Sequence, residues 1–287
     1  MRRLILLSYG SPESIDELGE YLSMVFYGDP VPERIYNENR KKYELYNGRS
    51  PSNDILKCIE EKLKKALREY DFDVTQAYKH WKPGIENIVE DSKDFDEIFA
   101  IPLFPFSTNN VKNSYEKPFN EALKKYNVTA RVRFLNGLED QELLYSAWIE
   151  KISGHMYNES PFLFAAHSLP LYSDESTYEN LIINTARRLS NTFLKDDYFY
   201  GFYSQGEHGK WLYPSIYDYI DKLKEYNSVT VIPIGFIYEH LEILYDLDIE
   251  FKNKLKDYGI SYDRVETPSC SDTLVMAIRN KIISNIK

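Results

Sequence analysis

Pro161-Phe-Leu-Phe-Ala-Ala166 reads as a short apolar strand, and Ser176–Leu194 downstream of it reads as an amphipathic helix. That alternation recurs in both directions along the chain. Short β-branched or aromatic runs stand near Leu4–Tyr9, Asp73–Tyr78, Glu97–Leu103 and Thr129–Phe134, then again near Asp197–Ser204, Val229–Ile234 and Ser261–Glu266. Helical patterns near Ser52–Tyr70, Gly84–Ser92, Ser114–Lys125, Asp140–Ile152, Ser215–Glu225, Tyr238–Asp257 and Ser271–Ile286 separate or follow them. Each crossover is long enough for a right-handed βαβ unit, so the expected class is α/β with parallel sheets flanked by helices.

Four strands precede Gly154–Ser160 and four follow it, which suggests two similar open-sheet halves, 1–155 and 156–287, with no visible sequence repeat. An excursion near 12–51, including Tyr27-Gly-Asp-Pro-Val-Pro32, separates the first strand from its crossover helix and has the length of a lid over a cleft. The last helix is expected to pack back on the first half.

A chain of 287 residues holds one large domain or two ordinary ones. It contains no apolar run long enough to span a bilayer and its start lacks a secretory layout, so a cytoplasmic protein is expected. The formal net charge of -10 disfavours nucleic acid as a partner. Two cysteines, Cys58 and Cys270, are too few for a four-thiolate cluster, and their number suggests reduced thiols. Aromatic residues make up 15% of the chain, a supply that suits a flat ligand.

In open parallel sheets ligands bind beyond the carboxyl ends of strands. The ends here are Tyr9-Gly-Ser-Pro12, Pro102-Leu-Phe-Pro-Phe-Ser107, His167-Ser-Leu-Pro170 and Pro233-Ile-Gly-Phe236. None carries the glycine pattern of a dinucleotide or phosphate loop. His167 ends the apolar strand, whose two alanines would leave space beside the imidazole. Beyond Gly235, the acids Glu242, Asp246 and Glu250 recur at spacing four, which on an α-helix forms one carboxylate stripe. The flanking Leu241, Ile243, Leu244 and Leu247 mark that helix as largely buried. Such a stripe leading to a histidine suits inward passage of a divalent metal or outward passage of protons, and imidazole with carboxylate suits transient handling of Fe(II).

Taken in order, Tyr9-Gly-Ser-Pro12, Gly48-Arg-Ser-Pro51, Ala166-His-Ser-Leu-Pro170, Ser204-Gln-Gly206, Trp211-Leu-Tyr-Pro214, Pro233-Ile-Gly-Phe236 and His240-Leu-Glu242 resemble the signatures of the ferrochelatase family over nearly the whole chain. The resemblance implies the chelatase-like fold of two Rossmann-like halves with porphyrin held in the cleft between them. It implies that His167 and Glu242 are the catalytic, metal-handling residues and that Asp246 and Glu250 form an acidic relay. Porphyrin contacts are expected from Tyr9, Arg49, Ser50, Phe106, Ser107, Tyr115, Ser204 and Trp211. Three positions depart from the family's habit: Phe106 stands where Gln or His is usual, Tyr27 where an arginine is common, and Tyr213 where glycine is frequent.

The chain is similar to the short members without a cysteine-rich extension, so no permanently bound cofactor and no iron–sulfur cluster are expected; Fe(II) enters as a substrate. Tyr9 matches the tyrosine of members that act on coproporphyrin III, which is therefore favoured over protoporphyrin IX. In the expected mechanism aromatic walls from Tyr9, Phe106, Tyr115 and Trp211 bend the macrocycle. A neutral His167 then accepts a proton or briefly ligates iron, assisted by Glu242. Porphyrin and ferrous iron are the expected partners, with transient contact to other haem-pathway enzymes. A non-catalytic tetrapyrrole or metal carrier, and a cobalt or nickel chelatase of the same fold, are the competing readings; a panel of metals and porphyrins separates them.

Overall fold

The computed structural model describes residues 1–155, 159–171, 175–206 and 208–286. Met156, Tyr157 and Asn158, within the expected join between halves, lie outside the described residues.

All eight expected strands are present: β1 (Arg2–Ser8), β2 (Phe72–Tyr78), β3 (Glu97–Pro102), β4 (Arg131–Phe134), β5 (Phe162–His167), β6 (Tyr198–Tyr203), β7 (Ser228–Ile232) and β8 (Ser261–Arg264). They form two sheets, ordered β2-β1-β3-β4 and β6-β5-β7-β8, and every pairing is parallel. The central strands explain why. Leu4 to Leu7 in β1 and Phe162 to Ala166 in β5 are buried without a break. A strand covered on both faces needs helices above and below, which is the parallel-sheet solution.

The chain groups into two compact units, one built from Met1–Leu103, Val111–Asn136 and the end of the last helix from Arg279, the other from Phe104–Asn110 and Gly137–Ile278. In the first unit Arg279 donates through Nε to the Ala66 carbonyl at 3.0 Å and pairs with Glu69 at 3.1 Å, which ties that helix end to the helix Ser52–Ala66. The excursion after β1 forms the helices Leu18–Val25 and Glu33–Leu45, the second with Tyr43 as its one buried residue. Neither Cys58 nor Cys270 is a free thiol, against the reduced thiols expected, because a count of two cysteines carries no information on redox state.

In the second unit the sheet and the segment after β7 share one apolar core, in which Leu163, Val229 and Val231 meet Ile243, Leu247, Phe251 and Leu255. The single helix expected over Tyr238–Asp257 is instead three pieces: an α turn at Leu241–Tyr245, a π-helix at Asp246–Phe251 and a further α turn at Lys252–Asp257. Its start is later because His240 is extended, with φ -149° and ψ 167°. The apolar anchors recur strictly every fourth residue, a spacing too long for the ~3.6 residues of an α turn. A π turn, closed by i→i+5 bonds, carries more residues, so mixing the two keeps Ile243, Leu247, Phe251 and Leu255 facing the sheet.

Candidate functional site

The order of the second sheet reverses between β5 and β7, since β6 lies on one side of β5 and β7 on the other. Ligand sites of open α/β sheets lie at the carboxyl ends of strands at such a point. His167 is the last residue of β5, and the turn after β7 runs through Gly235 beside it. A Cβ on Gly235 would stand 2.9 Å from Ala166 Cα and 3.2 Å from the His167 nitrogen. Ala166 and Gly235 are therefore small for each other's sake, so the alanine makes room for a neighbouring turn rather than for space beside the imidazole. Gly235→Ala is expected to destabilise the fold by about 1–3 kcal/mol, because backbone must move to admit the methyl group. Denaturant unfolding of the purified variant checks it, and an unchanged midpoint contradicts the close approach.

His167 Nδ1 lies 2.5 Å from the Ser168 carbonyl oxygen, which can only accept, so Nδ1 carries a proton. That leaves Nε2 to face Glu242 Oε1 at 3.1 Å. The pair is partly open to solvent, with 25% of the His167 and 43% of the Glu242 side chain exposed. Burial alone pulls the imidazole pKa down; the charge and hydrogen bond of Glu242, then the Ser168 carbonyl and the charge of Asp246, outweigh it and push it up to about 9. Glu242 thus favours a protonated ring that donates from both nitrogens, and the neutral base expected from the sequence is reached when Nε2 gives up its proton. The Tyr178 hydroxyl donates to the His167 carbonyl at 3.2 Å and fixes the backbone beneath the ring.

The acids form a graded row. Glu242 is half-buried, Asp246 is 7% exposed and Glu250 lies at the surface. Asp246 and Glu250 both belong to the π-helix, so the row is not the straight α stripe that a spacing of four suggests. Asp246 accepts a hydrogen bond from the Ser204 hydroxyl. Ser204, expected to touch porphyrin, thus serves the acid row, and its φ of 57° turns the chain there at the end of β6.

Three groups beside the pair were not singled out from sequence. Phe236 packs edge-on at 6.3 Å from the His167 ring and 4.3 Å from that of His240. His240 Nε2 is buried without a hydrogen-bond partner, and burial pushes the His240 pKa down to about 4, so that ring is neutral. The Tyr203 ring lies 5.9 Å from His167, and burial followed by the charges of Glu242 and Asp246 holds its hydroxyl protonated. The advance signals were the signatures Pro233-Ile-Gly-Phe236 and His240-Leu-Glu242, which contain two of the three, and the place of Tyr203 next to Ser204.

Trp211 joins the same unit through an antiparallel bridge with Pro170, and its indole donates to the His208 carbonyl at 2.8 Å. Gly206 lets the ring come close, since a Cβ there would meet Trp211 Cζ2 at 2.4 Å. Phe106 is buried against Tyr178, with ring centroids 6.2 Å apart. Ser107 donates to Glu139 at 2.5 Å and accepts from the Gly137 N–H at 3.1 Å.

In the first unit, Tyr9 and Tyr115 gather around Lys79, whose Nζ stands 5.9 Å and 6.0 Å from the two ring centroids. Tyr9 also lies 4.6 Å from the His80 ring. Burial lowers the Lys79 pKa. Arg49 is engaged by Glu13 at 3.3 Å and Asp54 at 3.0 Å, and Ser50 is buried with its hydroxyl 2.9 Å from that of Ser52. Those two residues brace their own loop and do not join the tyrosines and the lysine.

Among the described residues, no helix is long and apolar enough to cross a membrane. The sequence profile of the ferrochelatase family matches residues 3–286. A ferrochelatase of Thermoplasma acidophilum is 44% identical over 283 residues, covering 99% of this chain and 91% of that one. A coproporphyrin III ferrochelatase of Halalkalibacterium halodurans is 29% identical over 301 residues, covering 97% and 96%. Among solved structures, the cobalt complex of the sirohydrochlorin chelatase SirB from Bacillus subtilis subspecies spizizenii overlays with a TM-score of 0.63 at 11% identity, covering 99% of this chain and 94% of that one, a likeness of fold alone. With a matching profile from end to end and a histidine–carboxylate pair at the switch point of its second sheet, the chain belongs to the ferrochelatase family.

Proposed function

We propose that this ferrochelatase takes coproporphyrin III in preference to protoporphyrin IX, and that His167 and Glu242 are its metal-insertion pair. The observation that carries the assignment of the pair is the hydrogen bond from His167 Nδ1 to the Ser168 carbonyl, which fixes the tautomer and leaves Nε2 as the reactive atom facing Glu242. Insertion exchanges two pyrrole protons for one Fe(II). The resting imidazolium first passes its Nε2 proton to Glu242 and so along Asp246 and Glu250 to solvent; the freed lone pair then accepts one pyrrole proton or meets iron, and Glu242, emptied again, takes up a pyrrole proton in turn, so that both pyrrole protons leave by the same row. Asp246 and Glu250 continue outward as the acidic relay, with Ser204 steering Asp246. On this reading iron is a substrate, no resident cofactor or iron–sulfur cluster takes part, and contact with other haem-pathway enzymes is transient.

The preference for coproporphyrin rests on Tyr9 and on relatives bearing that name at 29% identity. Lys79 beside Tyr9 and Tyr115 adds a cation for a propionate, a group that coproporphyrin carries on all four rings. Anaerobic insertion of Fe(II) into the two porphyrins side by side, followed by absorbance, is expected to give a kcat/KM for coproporphyrin III at least about tenfold higher, the gain of one well-placed charged contact. Equal or reversed values overturn the preference and leave the family assignment standing.

A further inference from the structure

Five carboxylates, Glu239, Glu242, Asp246, Asp248 and Glu250, crowd a stretch of twelve residues that holds no Lys or Arg. Like charges at such spacings repel, and a π turn within the stretch is a rarely used conformation. Something must hold it. The cation that meets it comes from the end of β8. Arg264, 8% exposed, donates through Nε and Nη2 to Asp248 at 2.8 Å each, and through Nη1 to Glu239 at 2.9 Å. Both acids are fastened further: Asp248 accepts from the Tyr262 hydroxyl at 2.9 Å, and Glu239 accepts from the Thr267 N–H at 2.7 Å.

Glu239 stands three residues before Glu242, and Asp248 two residues after Asp246. A single guanidinium therefore grips the segment on both sides of its two inner acids. Between the two grips the backbone passes from extended at His240, through one α turn, into the π-helix. We infer that Arg264 is a positioning residue for iron insertion, clamping Glu239 and Asp248 so that Glu242 is held within hydrogen-bond reach of His167. The inference rests on the His167–Glu242 pair proposed above. The planar fork matters as well as the charge, because a lysine ammonium offers one point of attachment and cannot serve both carboxylates with the same geometry.

Arg264→Lys keeps the charge and loses the fork, and Asp248→Asn weakens the other side of the same clamp. For both, kcat for Fe(II) insertion is expected to fall about ten- to a hundredfold, the cost of a reacting group misplaced by about 1 Å, with porphyrin affinity by fluorescence quenching changed less than about twofold. The diagnostic readout is the split between kcat and porphyrin affinity. With Glu242 no longer held, kcat falls while affinity stays. A merely structural role lowers Tm and moves the two together. Glu242→Gln is measured in parallel. If Glu242→Gln lowers kcat and neither Arg264→Lys nor Asp248→Asn does, the clamp is overturned while the pair stands. If Glu242→Gln leaves kcat in place as well, the pair fails and the clamp fails with it. Should Arg264→Lys not fold, Asp248→Asn decides by the same two outcomes.

Discussion

Replacing His167 by alanine is expected to slow Fe(II) insertion about 10³-fold while leaving porphyrin bound, since general-base assistance of this kind contributes roughly 10²–10⁴. The expectation comes from position. His167 ends β5 at the switch point of the sheet, its Nδ1 is committed to the Ser168 carbonyl, and Nε2 alone is left to receive a proton or a metal. Alanine removes that atom and little of the surroundings, because Ala166 and Gly235 pack against the backbone rather than the ring. Absorbance assays under anaerobic conditions give the rate, and quenching of protein fluorescence gives the affinity. A loss of porphyrin binding in step with the rate would assign His167 to the pocket wall instead.

The second large effect concerns pH. The active form of His167 is the neutral ring, and its pKa is held up to about 9 chiefly by Glu242 against the downward pull of burial. Below that value each unit of pH lowers the neutral fraction roughly tenfold, so kcat/KM for Fe(II) rises with pH and levels near 9. In Glu242→Gln the largest upward contributions are gone while burial, the Ser168 carbonyl and the Asp246 charge remain, so the folded pKa falls from about 9. The rising limb then moves toward lower pH. Its plateau also falls, because the carboxylate that helps carry protons or iron is missing. A Glu242→Gln profile that still rises toward pH 9 contradicts the pairing.

The framework was legible because the central strands are written in unbroken apolar runs. Leu4-Ile-Leu-Leu7 and Phe162-Leu-Phe-Ala-Ala166 have no other use than a sheet covered on both sides. The place of His167 followed from the same runs, since a polar residue at the carboxyl end of a buried strand sits where α/β sheets bind ligands. The acids were legible as a row but not as a shape. Their spacing of four was read as an α stripe, whereas the same spacing in Ile243, Leu247, Phe251 and Leu255 requires a π turn to keep the apolar side on the sheet. That repeat was in the sequence and is the signal that could have located the bulge.

Other features depend on residues far apart in the chain. Nothing near Glu242 announces Arg264, which arrives through the parallel pairing of β7 with β8. The upward pull of Glu242 on the His167 pKa is hidden for a related reason: sequence shows a histidine and an acid but not the 3.1 Å between them. Ser204 and Ser50 illustrate the limit of motifs, since one hydroxyl is taken by Asp246 and the other lies buried against Ser52.

The most direct test follows Fe(II) insertion into bound coproporphyrin III across roughly pH 6 to 10, for the wild type and for His167→Ala, under anaerobic conditions. The wild type is expected to turn over with a rate that climbs toward pH 9, and His167→Ala is expected to bind the porphyrin yet stay about 10³-fold below the wild-type plateau at every pH. Wild-type turnover by His167→Ala at any pH in that range contradicts the assignment of the metal-insertion pair.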